Sequence, residues 1–425
     1  MEIEIEKMIY GGDGLGRYLE PGENRAKALF IPFVLENEKV AVEILEDKRS
    51  FARGRAEQVL RASASRIEPG CPYFLRCGGC QYQHSSYEHQ LEMKRSILRE
   101  TLRRTAKIEW SKEISTHPSP PWNYRNRTRM KLVASPFALG YYQFRSHRLL
   151  PVEQCPISSP LINRAIAAVW GLGRAGKVPQ EIAELEFFAN AADDQSVIEI
   201  YCSGSSGKLL LFGDELRQEL PEIAGVTFFS HSSGESLAIA EGEAPAPVLQ
   251  YRTKSGNFRV SAGSFFQTNR FLVDEFQALV TANEQGSRAL DVFAGTGFFS
   301  LPLAQRFERV TAVENAPPSF RDLEHNAPAN LRPIRKSALE FLTAMSDEKF
   351  DFVVVDPPRA GLGEQLAKGL SKLASPRLTY VSCDPATLAR DLQVLLSGGY
   401  QMTDLHLVDL FPQTFHIETV VRLVR

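Results

Sequence analysis

The sequence predicts an α/β protein with a doubly wound, Rossmann-like parallel sheet, preceded by a small OB-like β-barrel and a central α+β region. From residue 263 onward, strand and helix patterns alternate, which is typical of a parallel sheet. A buried strand, residues 288–292, runs into a glycine turn, as expected at the first strand of such a fold. Residues 1–60 read as short strands and glycine turns. We therefore expect three domains, covering residues 1–60, 61–262 and 263–425.

Length and composition exclude several classes of protein. The chain has 425 residues, which is too long for a single ordinary hydrophobic core. With 43% hydrophobic and 24% charged residues, its composition is that of a folded protein and not of a disordered one. No apolar run approaches the roughly 20 residues that span a bilayer. The first six residues alternate acidic and apolar residues and have no basic start of a signal peptide. We expect a cytoplasmic protein that does not contact membranes.

The N-terminal segment carries a tight glycine turn at residues 11–16, followed by strand-like runs at 28–33 and 39–44. With the later residues 51–54, this pattern resembles the TRAM domain, an OB-like module that binds RNA. A barrel that binds no ligand is the alternative. The glycine turn by itself is a weak signal.

Three cysteines lie within ten residues, Cys71, Cys77 and Cys80, and Cys155 follows far along the chain. In a cytoplasmic protein such a cluster indicates a metal site more often than disulfides. Four thiolates suit zinc and an iron–sulfur cluster equally well in charge and number. Cys202 lies in an apolar strand and is interpreted as a core residue.

Residues 91–131 hold eleven basic residues against four acidic ones, although the whole chain has a net charge of −2. Aromatic residues lie among and just after the basic ones, as suits RNA phosphates and unstacked bases. A solvated helix face explains part of the charge. We expect RNA contact here, with residues 91–113 helical and packed near the C-terminal domain. The aromatic residues are Trp122, Tyr124, Tyr141, Tyr142 and Phe144.

Three motifs in the C-terminal region predict a nucleoside cofactor. The glycine turn after residue 292 has only Gly295 and Gly297 and no third glycine at dinucleotide spacing. Glu314 ends the next strand, where a carboxylate binds ribose hydroxyls. Asp356 follows a third buried strand and precedes two prolines. In this order the motifs look like an S-adenosylmethionine-dependent methyltransferase rather than an NAD enzyme.

Cys383 lies between a β-prone run and a predicted helix, with Asp384 as its expected N-cap and Pro385 in the first turn. The positive end of that helix would favour a thiolate, which is a nucleophile. A small buried side chain at a strand end is the alternative.

The chain resembles the RNA uracil-5-methyltransferase family over essentially its whole length. The matching segments are Ser264–Asn269, Asp291–Gly297, Asp356–Gly361, Tyr380–Asp391 and His416–Thr419. The resemblance implies a Rossmann-like methyltransferase domain that uses S-adenosylmethionine to methylate carbon 5 of a uridine. It assigns Cys383 as nucleophile and Glu418 as base. It assigns contacts to cofactor or uracil to Gln267, Phe293, Glu314 and Asp356. It implies a 4Fe-4S cluster held by Cys71, Cys77, Cys80 and Cys155.

The expected partner is RNA, with 23S rRNA favoured over tRNA, and the expected oligomeric state is a monomer. Phe298, Phe299 and Asp384 depart from the family pattern, since polar residues or asparagine are common there. Two alternatives remain at this point. One is a redox enzyme in which the cluster reacts, and the other is an RNA-binding protein without catalytic activity.

Overall fold

The computed structural model of the protein describes residues 1–19, 26–204, 207–230, 236–239, 247–345, 348–373 and 375–425. Its first part is a closed five-stranded barrel in the order β1-β2-β3-β5-β4. The strands are β1 (Glu2–Met8), β2 (Asp13–Tyr18), β3 (Lys27–Pro32), β4 (Lys39–Asp47) and β5 (Phe51–Arg61). Ile3 and Ile5 point inward while the glutamates between them face solvent. The predicted N-terminal barrel is confirmed.

The barrel closes tightly because two of its strand residues have no side chain. A Cβ at Gly14 would lie 2.5 Å from Val34, and one at Gly16 would lie 2.5 Å from Ile3. Only glycine allows the walls of so small a barrel to approach this closely.

Helix α1 (Tyr87–Thr101) and one π-helical turn (Leu102–Ala106) follow the cysteine-rich segment, and a short strand β6 (Ser115–His117) comes next. The buried face of α1 carries Met93, Ile97 and Leu98, which share a hydrophobic core with Leu388 and Leu392 of the C-terminal region. Strand β6 pairs in parallel with residues 406–408. This part of the chain therefore packs on the C-terminal sheet.

The central region forms a seven-stranded sheet in the order β13-β12-β11-β10-β7-β8-β9, with a core to which two helices contribute. Its elements are β7 (Arg127–Ala134), β8 (Phe137–Tyr142), β9 (Leu149–Pro151), α2 (Pro160–Arg174), β10 (Ile182–Ala189), β11 (Ser196–Cys202), α3 (Gly207–Glu219), β12 (Ile223–Ser230) and β13 (Ser236–Ile239). Cys202 is 1% exposed within this core, as predicted. A hairpin, β14 (Val248–Thr253) and β15 (Gly256–Ser261), leads to the last part of the chain.

The C-terminal sheet has eight strands in the order β18-β17-β16-β19-β20-β22-β21-β6. Its elements are α4 (Val273–Thr281), β16 (Gly286–Val292), α5 (Ser300–Ala304), β17 (Phe307–Glu314), α6 (Pro317–Asn326), β18 (Leu331–Arg335), α7 (Ala338–Ala344), β19 (Phe352–Val355), α8 (Gly363–Leu373), β20 (Arg377–Ser382), α9 (Pro385–Ser397), β21 (Gln401–Val408) and β22 (Glu418–Val424). Strands β16 to β20 are parallel, and β22 is inserted antiparallel between β20 and β21. The predicted α/β sheet is confirmed.

The order of the parallel strands reverses at β16, so a crevice forms at its carboxyl end, where α/β proteins bind ligands. Among the helices that the structure describes, none is long and apolar enough to cross a membrane.

Candidate active site and cysteine-lined cavity

Five neighbouring strands bring the predicted site residues to one edge of the C-terminal sheet. Glu314 ends β17, Phe293 follows β16, Asp356 follows β19 and Cys383 follows β20. Glu418 begins β22, which runs antiparallel and therefore starts at the same edge. Residues from distant parts of the sequence thus form one row along the crevice.

The glycine turn after β16 is held beside Glu314. The Gly295 amide donates to one carboxylate oxygen of Glu314 at 2.9 Å, and the Ala316 amide donates to the other at 2.6 Å. Phe293, Gly295 and Gly297 all have positive φ, an arrangement that is strained for phenylalanine and found at ligand sites. Both carboxylate oxygens thus have fixed positions, so the acid is preorganised for hydroxyl groups.

Buried polar atoms without a partner lie next to this turn. In the described part of the chain, Oδ1 of Asp291 and the Thr296 hydroxyl accept or donate no hydrogen bond. Burial and the charge of Glu314 raise the pKa of Asp291 to about 7, against a bond from Ser300 that lowers it. Unpaired buried polar groups are costly, and a polar ligand in the crevice would relieve that cost.

Gln267 lies in a loop fixed from the central region. The Asn126 amide donates to the Thr268 carbonyl at 2.9 Å, and the Asn269 side chain donates to the Leu410 carbonyl at 3.1 Å. Gln267 is 8% exposed, and its amide makes no hydrogen bond to any residue described. A buried amide of this kind can both donate to and accept from a ligand.

Cys383 lies where the sequence predicted it, between β20 and α9. Asp384 caps the helix by accepting from the amides of Ala386 and Thr387, both at 2.9 Å. Pro385 is the first helical residue. The predicted N-cap is confirmed, and it accounts for a carboxylate beside the nucleophile.

The surroundings of the thiol outweigh the effect of this helix. Burial, Glu418 and Asp356 together raise the pKa of Cys383 to about 12, although Arg359 and a backbone hydrogen bond at Cys383 lower it. A helix end acts only within its first turn and offsets little of such a burial cost. The helix end favours a thiolate, as predicted, but the sequence did not reveal the burial and the two carboxyl groups that oppose it.

Two carboxyl groups face this thiol. Burial and Asp356 raise the pKa of Glu418 well above its ordinary value, and Arg359 opposes them. Burial and Asp291 raise the pKa of Asp356. A carboxylate with a raised pKa is a better base, so Glu418 is suited to accept a proton from carbon.

The sequence-based set of site residues lacked two neighbours of Cys383, Tyr10 and Arg359. Tyr10, from the barrel, donates to the Cys383 carbonyl at 3.4 Å and packs edge-on against Phe415. Arg359 lies 3.4 Å from His416 and provides the positive charge near Cys383 and Glu418. Arg359 belongs to the Asp356–Gly361 motif and could have been found there. Nothing in the sequence signals Tyr10.

The two phenylalanines after Gly297 are core residues. Phe298 and Phe299 are 7% and 2% exposed, and their rings lie 4.8 Å apart beside Phe276. The Phe298 carbonyl accepts from Gln277 at 2.8 Å. These two rings therefore fill space between α4 and the sheet, at positions where the family pattern has polar residues.

The four clustered cysteines line one cavity of about 230 Å³, together with Gln83, Arg125 and Tyr141. Within the described ranges, no three His, Cys, Asp or Glu side chains are arranged to hold a single metal ion. Burial raises the pKa of the Cys71, Cys77 and Cys80 thiols, that of Cys77 to about 11. The four thiols therefore share one cavity.

The walls of this cavity are hydrogen-bonded to the active-site loops. The amides of Gln81 and Tyr82 both donate to the Gln413 carbonyl, at 3.0 and 2.9 Å. The Arg270 amide donates to the Tyr124 carbonyl at 3.0 Å. The bonds to Gln413 hold the loop before Glu418, and the bond from Arg270 holds the loop that carries Gln267.

Part of the basic stretch 91–131 is neutralised inside the protein. Lys94 is fully buried in an ion pair with Asp409 at 2.6 Å. Arg127 and Arg129 pair with Glu186, and Lys131 pairs with Glu184. The aromatic residues are partly structural as well, since the hydroxyls of Tyr124 and Tyr141 bond within the protein. Fewer of these residues face RNA than the charge count suggested.

Three further cations of this stretch lie on α1 and on the π-helical turn that follows it. Arg95, Arg99 and Arg103 line an open cleft of about 590 Å³ with Lys7. Four glutamates line the same cleft, Glu92, Glu100, Glu109 and Glu113. The cleft has mixed charge and is not a uniformly basic surface.

A glycine turn, an acid at the end of the second strand and a buried acid after the fourth, all at one crevice of this sheet, define an S-adenosylmethionine-dependent methyltransferase. Residues 86–425 match the model of the tRNA (uracil-5-)-methyltransferase family. The chain belongs to this family and is an S-adenosylmethionine-dependent RNA uracil-5-methyltransferase.

Full-length relatives agree with this family. The chain is 31% identical to an uncharacterized RNA methyltransferase of Aquifex aeolicus over 100% of this chain and 98% of the relative. It is 30% identical to a 23S rRNA (uracil(1939)-C(5))-methyltransferase of Vibrio parahaemolyticus over 98% of this chain and 94% of the relative.

A solved structure has the same fold. The Pyrococcus abyssi tRNA (uracil-54, C5)-methyltransferase, in complex with S-adenosyl-L-homocysteine, matches 100% of both chains with a TM-score of 0.76 and 23% identity.

Proposed function

We propose that the chain methylates carbon 5 of uridine through a covalent bond between Cys383 and the base. The observation that carries this proposal is that β20 and β22 bring Cys383 and Glu418 to one crevice, where Glu418 acts on the thiol's pKa. Carbon 5 of uracil is a poor nucleophile. Addition of the Cys383 thiolate to carbon 6 forms a C–S bond and moves the electron pair to the ring as an enolate, which activates carbon 5.

Glu418 completes the reaction in this proposal. S-adenosylmethionine, when bound, supplies a methyl group on a sulfonium. After carbon 5 takes up that methyl group, Glu418 accepts the proton from carbon 5, the electron pair re-forms the double bond, and the C–S bond breaks. The target uridine must leave its stack or lie in a single strand to reach the buried thiol.

The first test is to trap the covalent species. Cys383→Ala removes the nucleophile and is expected to abolish both methylation and any protein–RNA adduct. Glu418→Gln keeps the shape of the base but accepts no proton, so the methylated adduct is expected to accumulate and to be visible as a shifted band on a denaturing gel. Absence of an adduct in E418Q would contradict the role of Glu418.

We propose that Glu314 binds the ribose hydroxyls of the cofactor and that Phe293 packs against it. The fixed carboxylate of Glu314 and the strained backbone of Phe293 support these roles. Asp356 and Gln267 are proposed to contact cofactor or uracil, because both lie at the crevice with polar groups available to a ligand.

We propose that Cys71, Cys77, Cys80 and Cys155 hold a 4Fe-4S cluster. The four cysteines share one cavity, which supports a common ligand site for them. Four thiolates suit zinc and an iron–sulfur cluster equally well, and the family resemblance favours the cluster. The uracil chemistry needs no electron transfer, so the cluster has a structural role in this proposal.

The proposed target is 23S rRNA, with tRNA as the alternative. Relatives named as 23S rRNA enzymes over nearly the full length support the first, and the name of the family model supports the second. Mapping of 5-methyluridine in RNA from cells with and without the gene distinguishes them. We expect one 23S position to lose its methyl group, and loss from tRNA alone would contradict this target.

We further propose a monomer with three domains, 1–60, 61–262 and 263–425, of which the first is a TRAM-like RNA-binding barrel. The barrel, the seven-stranded sheet and the eight-stranded sheet support this division.

A further inference from the structure

Arg125 reaches the cysteine-lined cavity from a fixed backbone position. Its amide donates to the Ile157 carbonyl and its carbonyl accepts from the Ser159 amide, both at 2.8 Å. The segment it pairs with continues directly from Cys155. Two paired segments thus place Arg125 and Cys155, a predicted cluster ligand, at the same cavity.

The Arg125 guanidinium has no carboxylate partner. In the described ranges, no Asp or Glu oxygen lies within 4.0 Å of it, whereas its chain neighbours Arg127 and Arg129 both pair with Glu186. Its side chain makes one hydrogen bond, from Nε to the Arg127 carbonyl at 3.0 Å. A partly buried guanidinium with five N–H groups and one bond calls for an anion nearby.

The cysteine sulfurs are the potential anions nearest to Arg125 in this cavity. Cys71, Cys77, Cys80 and Cys155 line the cavity that Arg125 enters, and the described residues that line it include no Asp or Glu. The counterions available to this cation are therefore the sulfurs.

We propose that Arg125 supplies the compensating positive charge for an anionic, cysteine-ligated cluster in this cavity. The inference rests on the iron–sulfur cluster proposed above. Four thiolates carry more negative charge than the iron–sulfur core returns in positive charge, so the occupied site is anionic. An unpaired guanidinium in its wall stabilises that charge, and it stabilises the reduced cluster more than the oxidised one.

The test compares three variants of the full-length, cluster-loaded protein. Arg125→Met removes the charge and keeps much of the volume, while Arg125→Lys keeps the charge. Arg129→Met is the matched control, because Arg129 lines the same cavity but is paired with Glu186 at 2.6 Å. The measurements are iron and acid-labile sulfide per chain, the rate of iron loss to a chelator, and the midpoint potential of the cluster.

We expect R125M to lose iron several-fold faster than the wild type and to have a more negative midpoint potential. Failure of R125M alone to hold a cluster supports the proposal as well. R125K and R129M should stay near the wild type. Equal potentials and iron-loss rates in R125M and R129M, or cluster loss in R125K, would overturn the role of the charge. A wild-type protein without iron and sulfide would instead overturn the cluster itself.

Discussion

Burial and the carboxyl groups of Glu418 and Asp356 disfavour the anion of Cys383, and only the cation of Arg359 and a local backbone hydrogen bond favour it. At neutral pH the thiol of the free protein is therefore protonated, and its thiolate fraction rises as the pH rises toward its pKa. The proposed nucleophile is therefore protected from oxidation while its thiol is protonated. In the proposed mechanism, its activation belongs to the complex with substrate.

This charge balance predicts how a neighbouring carboxylate controls the thiol. Asp356→Asn removes one of the groups that raise the pKa of Cys383, so the pKa falls and the thiolate appears at lower pH. We expect iodoacetamide to modify Cys383 several-fold faster at mildly alkaline pH, since one pKa unit changes the thiolate fraction about tenfold. Peptide mass spectrometry across the pH range measures this rate. Glu364→Gln, an exposed carboxylate on α8, is the control, and equal rates in both variants would refute the balance.

Tyr10 predicts a separate effect on turnover. Tyr10→Phe keeps the ring contact with Phe415 and removes the hydroxyl that bonds to the Cys383 carbonyl. Because this bond holds the backbone of the proposed nucleophile, we expect kcat to fall several-fold with KM nearly unchanged. Tyr400→Phe, which removes a hydroxyl bonded to the Ser375 carbonyl away from the crevice, is the control. A change in KM alone would contradict a positioning role.

The sequence predicted the positions of Cys383 and Asp384 because strand, N-cap and helix signals are local. It could not predict the charge around the thiol, since Asp356, Glu418 and Arg359 meet only through the sheet. The role of Tyr10 was equally hidden, because it depends on where the barrel docks.

At the scale of elements, helix α1 is joined to the loop before β22 by one buried ion pair. Lys94 bonds to Asp409 at 2.6 Å and to the Phe411 carbonyl at 3.0 Å, and both charged side chains are fully buried. The loop it fixes ends at Glu418. The central region therefore controls where the proposed base lies.

Removal of one partner of this ion pair should strongly lower the free energy of unfolding. Lys94→Met leaves Asp409 buried without its cation, so we expect a loss of about 3–5 kcal/mol in the free energy of unfolding. The double variant Lys94→Met with Asp409→Asn should recover part of that loss, because no unpaired charge remains. Urea denaturation measures both. A single variant as stable as the wild type would show that the pair does not hold the loop.

Composition predicted the number of charges in the basic stretch but not the partners of those charges. The count of charges in residues 91–131 was correct, but the partners of those charges lie on other elements. Glu184 and Glu186 come from β10, which pairs with β7 in register. Whether a cation on one strand is paired depends on its neighbours on the adjacent strand. The sequence of a single strand does not identify those neighbours.

At the scale of the whole molecule, residues next in sequence to the cysteine-lined cavity bond to both loops of the active site. Cys80→Ser removes one proposed ligand, and we expect faster amide hydrogen exchange in residues 264–270 and 409–417. The barrel strand β1 should exchange as in the wild type, because its bonds do not involve the cavity. Cys202→Ala, in the core of the central sheet, is the control. Faster exchange throughout the protein would indicate general destabilisation instead.

The alternation of strand and helix patterns predicted the parallel sheet, because each strand–helix unit carries its own signals. It did not predict that β6 extends the edge of that sheet. Three residues pairing with a strand far along the chain leave no periodicity to detect. Local sequence patterns therefore predicted the individual elements but not the contacts between distant regions of the chain.

The hydrogen bond between Tyr10 and the Cys383 carbonyl joins residues 373 positions apart. Contacts of such sequence separation form late in folding, because a long loop must close before they contribute. We expect refolding chains to pass through a collapsed intermediate whose barrel is native but whose nucleophile is still accessible to alkylation. Catalytic competence should then appear as the slowest kinetic phase, after native secondary structure is complete.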